Sequence, residues 1–289
     1  MTPLELVMLA PLMERTSGSP QVTIGLIDGP VAKTHPDLAA AHLREIPGNN
    51  GGACTQPSSV ACVHGTFVAG ILCAKRGSAA PAICPDCTLL IRPIFSETVA
   101  VDPQLPSAKP EELARAILAC VEAGARVINL SLALAQPSTK GERDLEDALD
   151  HATKRGVLIV AAAGNQGTVG STAITRHPWV IPVAACTLEG RPMQESNFGR
   201  SIGNRGVSAP GDSVTSLGAE GQPLTFGGTS AAAPFVTGAI ALLWSTFPAA
   251  TAADIKQAIH QAHHGRRATV VPPVLNAWAA YQALANRMG

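Results

Sequence analysis

The sequence predicts an α/β fold, one domain with a mostly parallel central sheet flanked by helices on both faces. Three observations carry this. Short runs rich in Val, Ile and Leu alternate with longer segments of helical periodicity. The strand-like runs are continuously apolar, as strands covered on both faces are. No internal repeat or low-complexity linker divides the chain, and 289 residues with 46% apolar and 15% charged side chains supply one large core.

The elements follow in order. Residues 1–20 are expected to form a helical extension packed on a domain spanning 21–289. Glu5 precedes its apolar stretch and no basic segment opens it, so a secretion signal is not expected. "VTIGLID" reads as a buried strand ending on Asp28, and "HGTFVAGILCA" as a helix opened by His64. "TLLIRPI" is a strand. "PEELARAILACVEAGA" starts on Pro110 and stops at Gly124, as helix-end chemistry favours. "RVINLSL" is a strand, "GERDLEDALDHATKRG" a helix, "VLIVAAAGN" a strand ending at Asn165, and "WVIPVAAC" a further strand. "GGTSAAAP" then turns tightly into an apolar helix opened by Ser230.

Composition excludes several functions. With 21 basic and 21 acidic residues the net charge is +0, which leaves no electrostatic footprint for nucleic acid or an anionic membrane. Aromatic residues make up 3%, too few for base-stacking surfaces. No apolar window is long enough to span a bilayer. Seven cysteines without an export signal read mostly as buried free thiols in a cytoplasmic protein. Two pairings stay open, Cys54 with Cys62 and Cys84 with Cys87. The second forms a CxxC with no partner motif, so no zinc site is expected.

At the predicted strand ends and helix starts stand an acid (Asp28), an imidazole (His64), a side-chain amide (Asn165) and a hydroxyl (Ser230). Singly they read as a turn acid, a helix-start residue, a turn amide and an N-cap. Together they are the components of acyl transfer through a serine. The hydroxyl needs a base, imidazole titrates near neutrality, the acid orients the imidazole, and the amide donates to an oxyanion.

"VTIGLIDGPVAKTHPDL", "HGTFVAGIL", "VINLSLA", "VAAAGN" and "GGTSAAAPFVTGAIALL" resemble, in order, the signature segments of the subtilisin-like serine proteases, over nearly the whole chain. The order Asp, His, Ser is also that of this family. The resemblance implies a subtilisin-like fold. Ser230 is then the nucleophile, His64 the general base and acid, Asp28 the orienting carboxylate, and Asn165 an oxyanion donor beside the Ser230 N–H. It also implies that a peptide or protein substrate binds as an extended strand between Ser131-Leu132-Ala133 and Ala162-Ala163-Gly164. No cofactor is implied.

Departures from the family pattern refine this expectation. Gly29-Pro30 stand where most members place a serine or threonine beside the acid, and "DGPV" is similar to the proteases that mature cyanobactin (patellamide-type) precursor peptides. Phe67 replaces a histidine, Ala231 a methionine, and Ala133 a glycine. Asp37 matches a calcium ligand of secreted relatives, but "CAKRGSAAPAICPDC" lacks the loop that would complete the cage. No metal is therefore expected, and Asp37 reads as a turn cap. So short a segment before the first strand suggests a protease that folds without a prosegment.

The leading expectation is thus a serine endopeptidase that processes a ribosomal precursor peptide by leader removal. A transamidating macrocyclase of the same family is the second reading. The short Cys/Gly/Ser loop between Asp28 and His64 leaves no helix pair to shield an acyl intermediate. A non-catalytic peptide-binding module is the third, and such modules usually lose a triad residue.

Overall fold

The computed structural model describes residues 1–46, 48, 52–97, 108–132, 142–261 and 269–288. Two single-turn helices, α1 (Pro3–Leu6) and α2 (Ala10–Met13), lead into β1 (Thr23–Asp28) and β2 (His42–Glu45). Then come α3 (Val60–Cys73), β3 (Thr88–Pro93), α4 (Pro110–Glu122), β4 (Val127–Leu130) and α5 (Glu142–Lys154). β5 (Leu158–Ala162), α6 (Ala173–Arg176), β6 (Ile181–Cys186), α7 (Arg200–Arg205) and β7 (Val207–Pro210) complete the sheet region. A hairpin, β8 (Val214–Leu217) with β9 (Pro223–Phe226), precedes α8 (Thr229–Thr246), α9 (Ala252–Gln261) and α10 (Ala277–Met288).

Seven strands pair in the order β2-β3-β1-β4-β5-β6-β7, every pair parallel. The pleat sends alternate side chains to opposite faces. Along β3, Leu89 and Ile91 join the core under α3 and α8, while Leu90 joins the core under α4 and α5. Both faces are buried, which is why the strands lack polar alternation.

α8 is apolar on every side and buried from Ala231 to Trp244, so it runs through the core and not over it. At the other end of the chain, Val7, Leu9 and Leu12 pack fully buried into the same core. The N-terminal segment is two short turns, broken where Met8 adopts φ 52°.

Three sequence expectations need correction. α3 begins at Val60, capped by the Ser59 hydroxyl, which accepts from Cys62 N. His64 therefore lies one turn inside the helix rather than at its start. β5 ends at Ala162, three residues before Asn165. The turn at residues 36–38 is capped by the His35 imidazole, whose Nδ1 accepts from Asp37 N, so Asp37 is the capped residue and not the cap. β2, β7 and the hairpin, with little apolar pattern of their own, had no counterpart in the sequence reading.

Among the described residues no helix is long and apolar enough to cross a membrane.

Candidate active site

β1 lies at the switch point of the sheet, with β3 on one side and β4 on the other. Crevices at such points, beyond the carboxyl ends of the strands, are where open α/β sheets bind ligands. Asp28 ends β1 there, fully buried, and its Oδ1 lies 2.7 Å from His64 Nδ1. The Gly29 N–H also donates to Oδ1, at 2.6 Å. The second oxygen, Oδ2, has no hydrogen-bond partner among the described residues, and Pro30 has no N–H to offer it.

The close approach of α3 explains the Gly29 departure. A Cβ on Gly29 would lie 1.9 Å from the Ala61 carbonyl oxygen, so no serine fits beside the acid here. That contact sets the helix against the end of β1 and carries His64 onto Asp28.

Ser230 is the second residue of α8, half-buried, and lines one cleft of about 550 Å³ with His64 and Asn165. The turn into the helix requires glycine at 228. Its φ is +101°, and a Cβ would meet the Asn165 amide at 2.9 Å. Thr229, buried behind Ser230, holds that amide. Its N–H and hydroxyl both donate to Asn165 Oδ1, at 2.8 and 2.9 Å. A backbone N–H can only donate, so the amide atom facing Thr229 is the oxygen and Nδ2 faces away. The Thr229 hydroxyl in turn accepts from Gly164 N at 3.1 Å.

Pro234 lies inside α8 and has no N–H, so the Ser230 carbonyl loses its helical partner. Ser131 replaces it, its hydroxyl donating to Ser230 O at 2.9 Å. A buried relay stands behind this bond. Asn129 Nδ2 donates to Ser131 Oγ at 2.8 Å, and Thr237 Oγ1 donates to Asn129 Oδ1 at 2.8 Å. Asn129, Thr229, Thr237 and Pro234 were missed in the sequence as site-building residues. Only Pro234 left a signal, since an interior proline frees the carbonyl four residues back.

The expected substrate-binding residues divide. Leu132, Ala162 and Gly164 line the cleft, and Ser131 reaches it although its hydroxyl is committed to Ser230. Beyond the last β4–β5 pair, Leu130 with Ala161, the two strand ends line a second cavity of about 520 Å³ that includes Ala163 and shares Leu132, Ala162, Gly164 and Gln166 with the first. Ala133 lies outside the described residues.

Of the two open cysteine pairings, Cys54–Cys62 is a disulfide, while Cys84 and Cys87 are free and buried with Cys73, Cys120 and Cys186. The bond ties the segment before α3 to its first turn. The Glu97 carboxylate holds the same segment, accepting from Thr55 N, the Thr55 hydroxyl and Gln56 N. Cys54, Cys62 and Glu97 are the one group of potential ligands gathered closely enough for a metal among the described residues. The disulfide engages two of them, so as it stands the group does not fit an ion.

A parallel sheet that sets an acid–imidazole pair and a helix-borne serine at its carboxyl ends defines a subtilisin-like fold. The chain belongs to the subtilase family, whose model matches residues 19–286. It is 31% identical over 246 residues to the thermostable alkaline protease of Halalkalibacterium halodurans, covering 82% of this chain and 61% of that one, so it spans less than two thirds of that relative's length. Among solved structures, a mutant of the protease domain of PatA superposes with TM-score 0.84 at 29% identity, over 93% of this chain and 97% of that one. The prenylagaramide maturation protease PagA gives 0.81 at 27% identity, over 96% and 98%.

Proposed function

We propose that the protein is a serine endopeptidase, hydrolysing a peptide bond through an acyl-enzyme on Ser230. The observation that carries this reading is the 2.7 Å contact between His64 Nδ1 and Asp28 Oδ1 in the cleft that Ser230 lines. Asp28 engages Nδ1, which leaves Nε2 to take the Ser230 proton and then to protonate the leaving amine. Asn165 Nδ2 and the Ser230 N–H donate to the oxyanion, where donors fixed in advance need not reorganise. The chain before the cut lies extended between the ends of β4 and β5, through Ser131-Leu132 and Ala162-Gly164.

The substrate is a precursor peptide, cut to release its leader. The likeness to PagA and PatA, both maturation proteases, supports this. Hydrolysis is favoured over macrocyclisation because, between Asp28 and His64, the described residues hold a 3-10 turn and a short edge strand, not a helix pair. The five free buried thiols support a cytoplasmic setting, and the Cys54–Cys62 disulfide is the feature that counts against it.

Fluorophosphonate labelling at Ser230, together with the mass of the peptide product, tests the reading. A linear product, absent with Ser230→Ala, is expected. A product lighter by one water favours the macrocyclase, and no adduct favours a binding module.

A further inference from the structure

Asn165 is held in the cleft from two different parts of the chain. Thr229 holds its side-chain amide from α8. The backbone on either side of it is held from the connection between β6 and α7, by Asn197.

The Asn197 main-chain N–H donates to Gly164 O at 2.9 Å. Its Nδ2 donates to Ala163 O at 3.2 Å and to Gln166 Oε1 at 2.6 Å. Its Oδ1 accepts from Gln166 N, Thr168 N and the Thr168 hydroxyl, each at 3.1 Å. A main-chain N–H only donates and a main-chain carbonyl only accepts, so both ends of this amide are assigned. The turn that leaves β5 is thus folded onto one side chain, with Asn165 between the residues it bonds.

Both sequence neighbours of Asn197 are fixed in turn. Ser196 is buried, and its hydroxyl accepts from Ala185 N in β6 at 3.1 Å. Phe198 packs on Ala163, on Ala184 of β6 and on Ile202 of α7. Such support matters because an oxyanion donor works only within about 2.7–3.1 Å of the developing charge. A misplacement of about 1 Å costs on the order of 100-fold in rate.

We propose that Asn197 is a positioning residue for the oxyanion site, setting the backbone from which Asn165 presents Nδ2. The inference rests on the peptidase reading.

The test uses the full chain, a chromogenic peptide nitroanilide and a fluorophosphonate probe. Asn197→Ala is expected to lower kcat roughly 10- to 100-fold while KM stays within about threefold. In an Asn165→Ala background the same substitution is expected to cost less than about threefold, because the donor it positions is already gone. Asn197→Asp keeps the acceptor for Gln166 and Thr168, loses both Nδ2 donations, and is expected to lower kcat in the same Asn165-dependent way. It carries the test should Asn197→Ala fail to fold. A loss as large without Asn165 as with it, a loss that falls on KM alone, or a loss below about threefold overturns the positioning role. Nitroanilide turnover that Ser230→Ala abolishes upholds the peptidase in each of those cases. No turnover and no adduct overturns both.

Discussion

The Ser131 hydroxyl donates to the main-chain carbonyl of Ser230 at 2.9 Å, in the place that Pro234 leaves without a helical donor. The proline loosens the first turn of α8, and the strand end re-anchors it. Ser131→Ala is expected to leave a partly buried carbonyl unpaired and to cost about 1–3 kcal/mol, read as a lower denaturant midpoint, with slower fluorophosphonate labelling. Ser131→Ala combined with Pro234→Ala restores an N–H four residues on and is expected to recover most of both losses. A double variant no better than Ser131→Ala alone would refute this account.

Asn165→Ala is expected to lower kcat roughly 100- to 1000-fold, the loss a subtilisin suffers without its own oxyanion amide, with KM little changed. Thr229→Val leaves Asn165 Oδ1 one donor instead of two and is expected to lower kcat less. A raised KM with kcat unchanged for Asn165→Ala would instead place the amide in ground-state binding.

Gly29→Ser would add the hydroxyl that other family members place beside the acid. Its Cβ meets the Ala61 carbonyl oxygen at 1.9 Å, so α3 must move. The variant is expected to lose about 1–3 kcal/mol of stability and to lose activity as His64 shifts. Unchanged thermal stability would show that α3 yields freely.

Burial raises the Cys186 thiol from 9.0 to about 12 and, outweighing the opposing Arg92 charge, lifts Cys120 to about 12 as well. In the folded chain both bind protons that the unfolded chain releases between pH 9 and 12. The stability they contribute is present below pH 9 and is lost as the pH rises through that window. Urea midpoints are expected to fall above pH 9, and less steeply in Cys120→Ala. Under native conditions at pH 8, alkylation should label neither thiol, whereas a dithiol reductant should expose Cys54 first, the half-buried partner of the disulfide. Early labelling of Cys120 or Cys186 would contradict the burial.

Most of this site is legible in the sequence. "GLID", "HGTFVAG", "AAAGN" and "GGTSAAAP" are strong because acyl transfer demands particular residue types at the ends of particular elements. The two cysteine pairings are equally open in the sequence, and the structure separates them: Cys54 and Cys62 sit 5.5 Å apart at Cα and are bonded, while Cys84 and Cys87 stay thiols. The start of α3 at Val60 is not legible in the sequence, because the Ser59 cap that fixes it is one hydroxyl among many.

By itself the sequence determined the layered α/β architecture, since that follows from local periodicity, and the family resemblance singled out Asp28, His64, Asn165 and Ser230. Tertiary structure alone decided that the Ala61 carbonyl excludes a hydroxyl beside Asp28 and that Thr229 holds the Asn165 Oδ1 toward itself. Those outcomes depend on contacts a few ångströms wide between segments distant along the chain, and no local pattern encodes such distances.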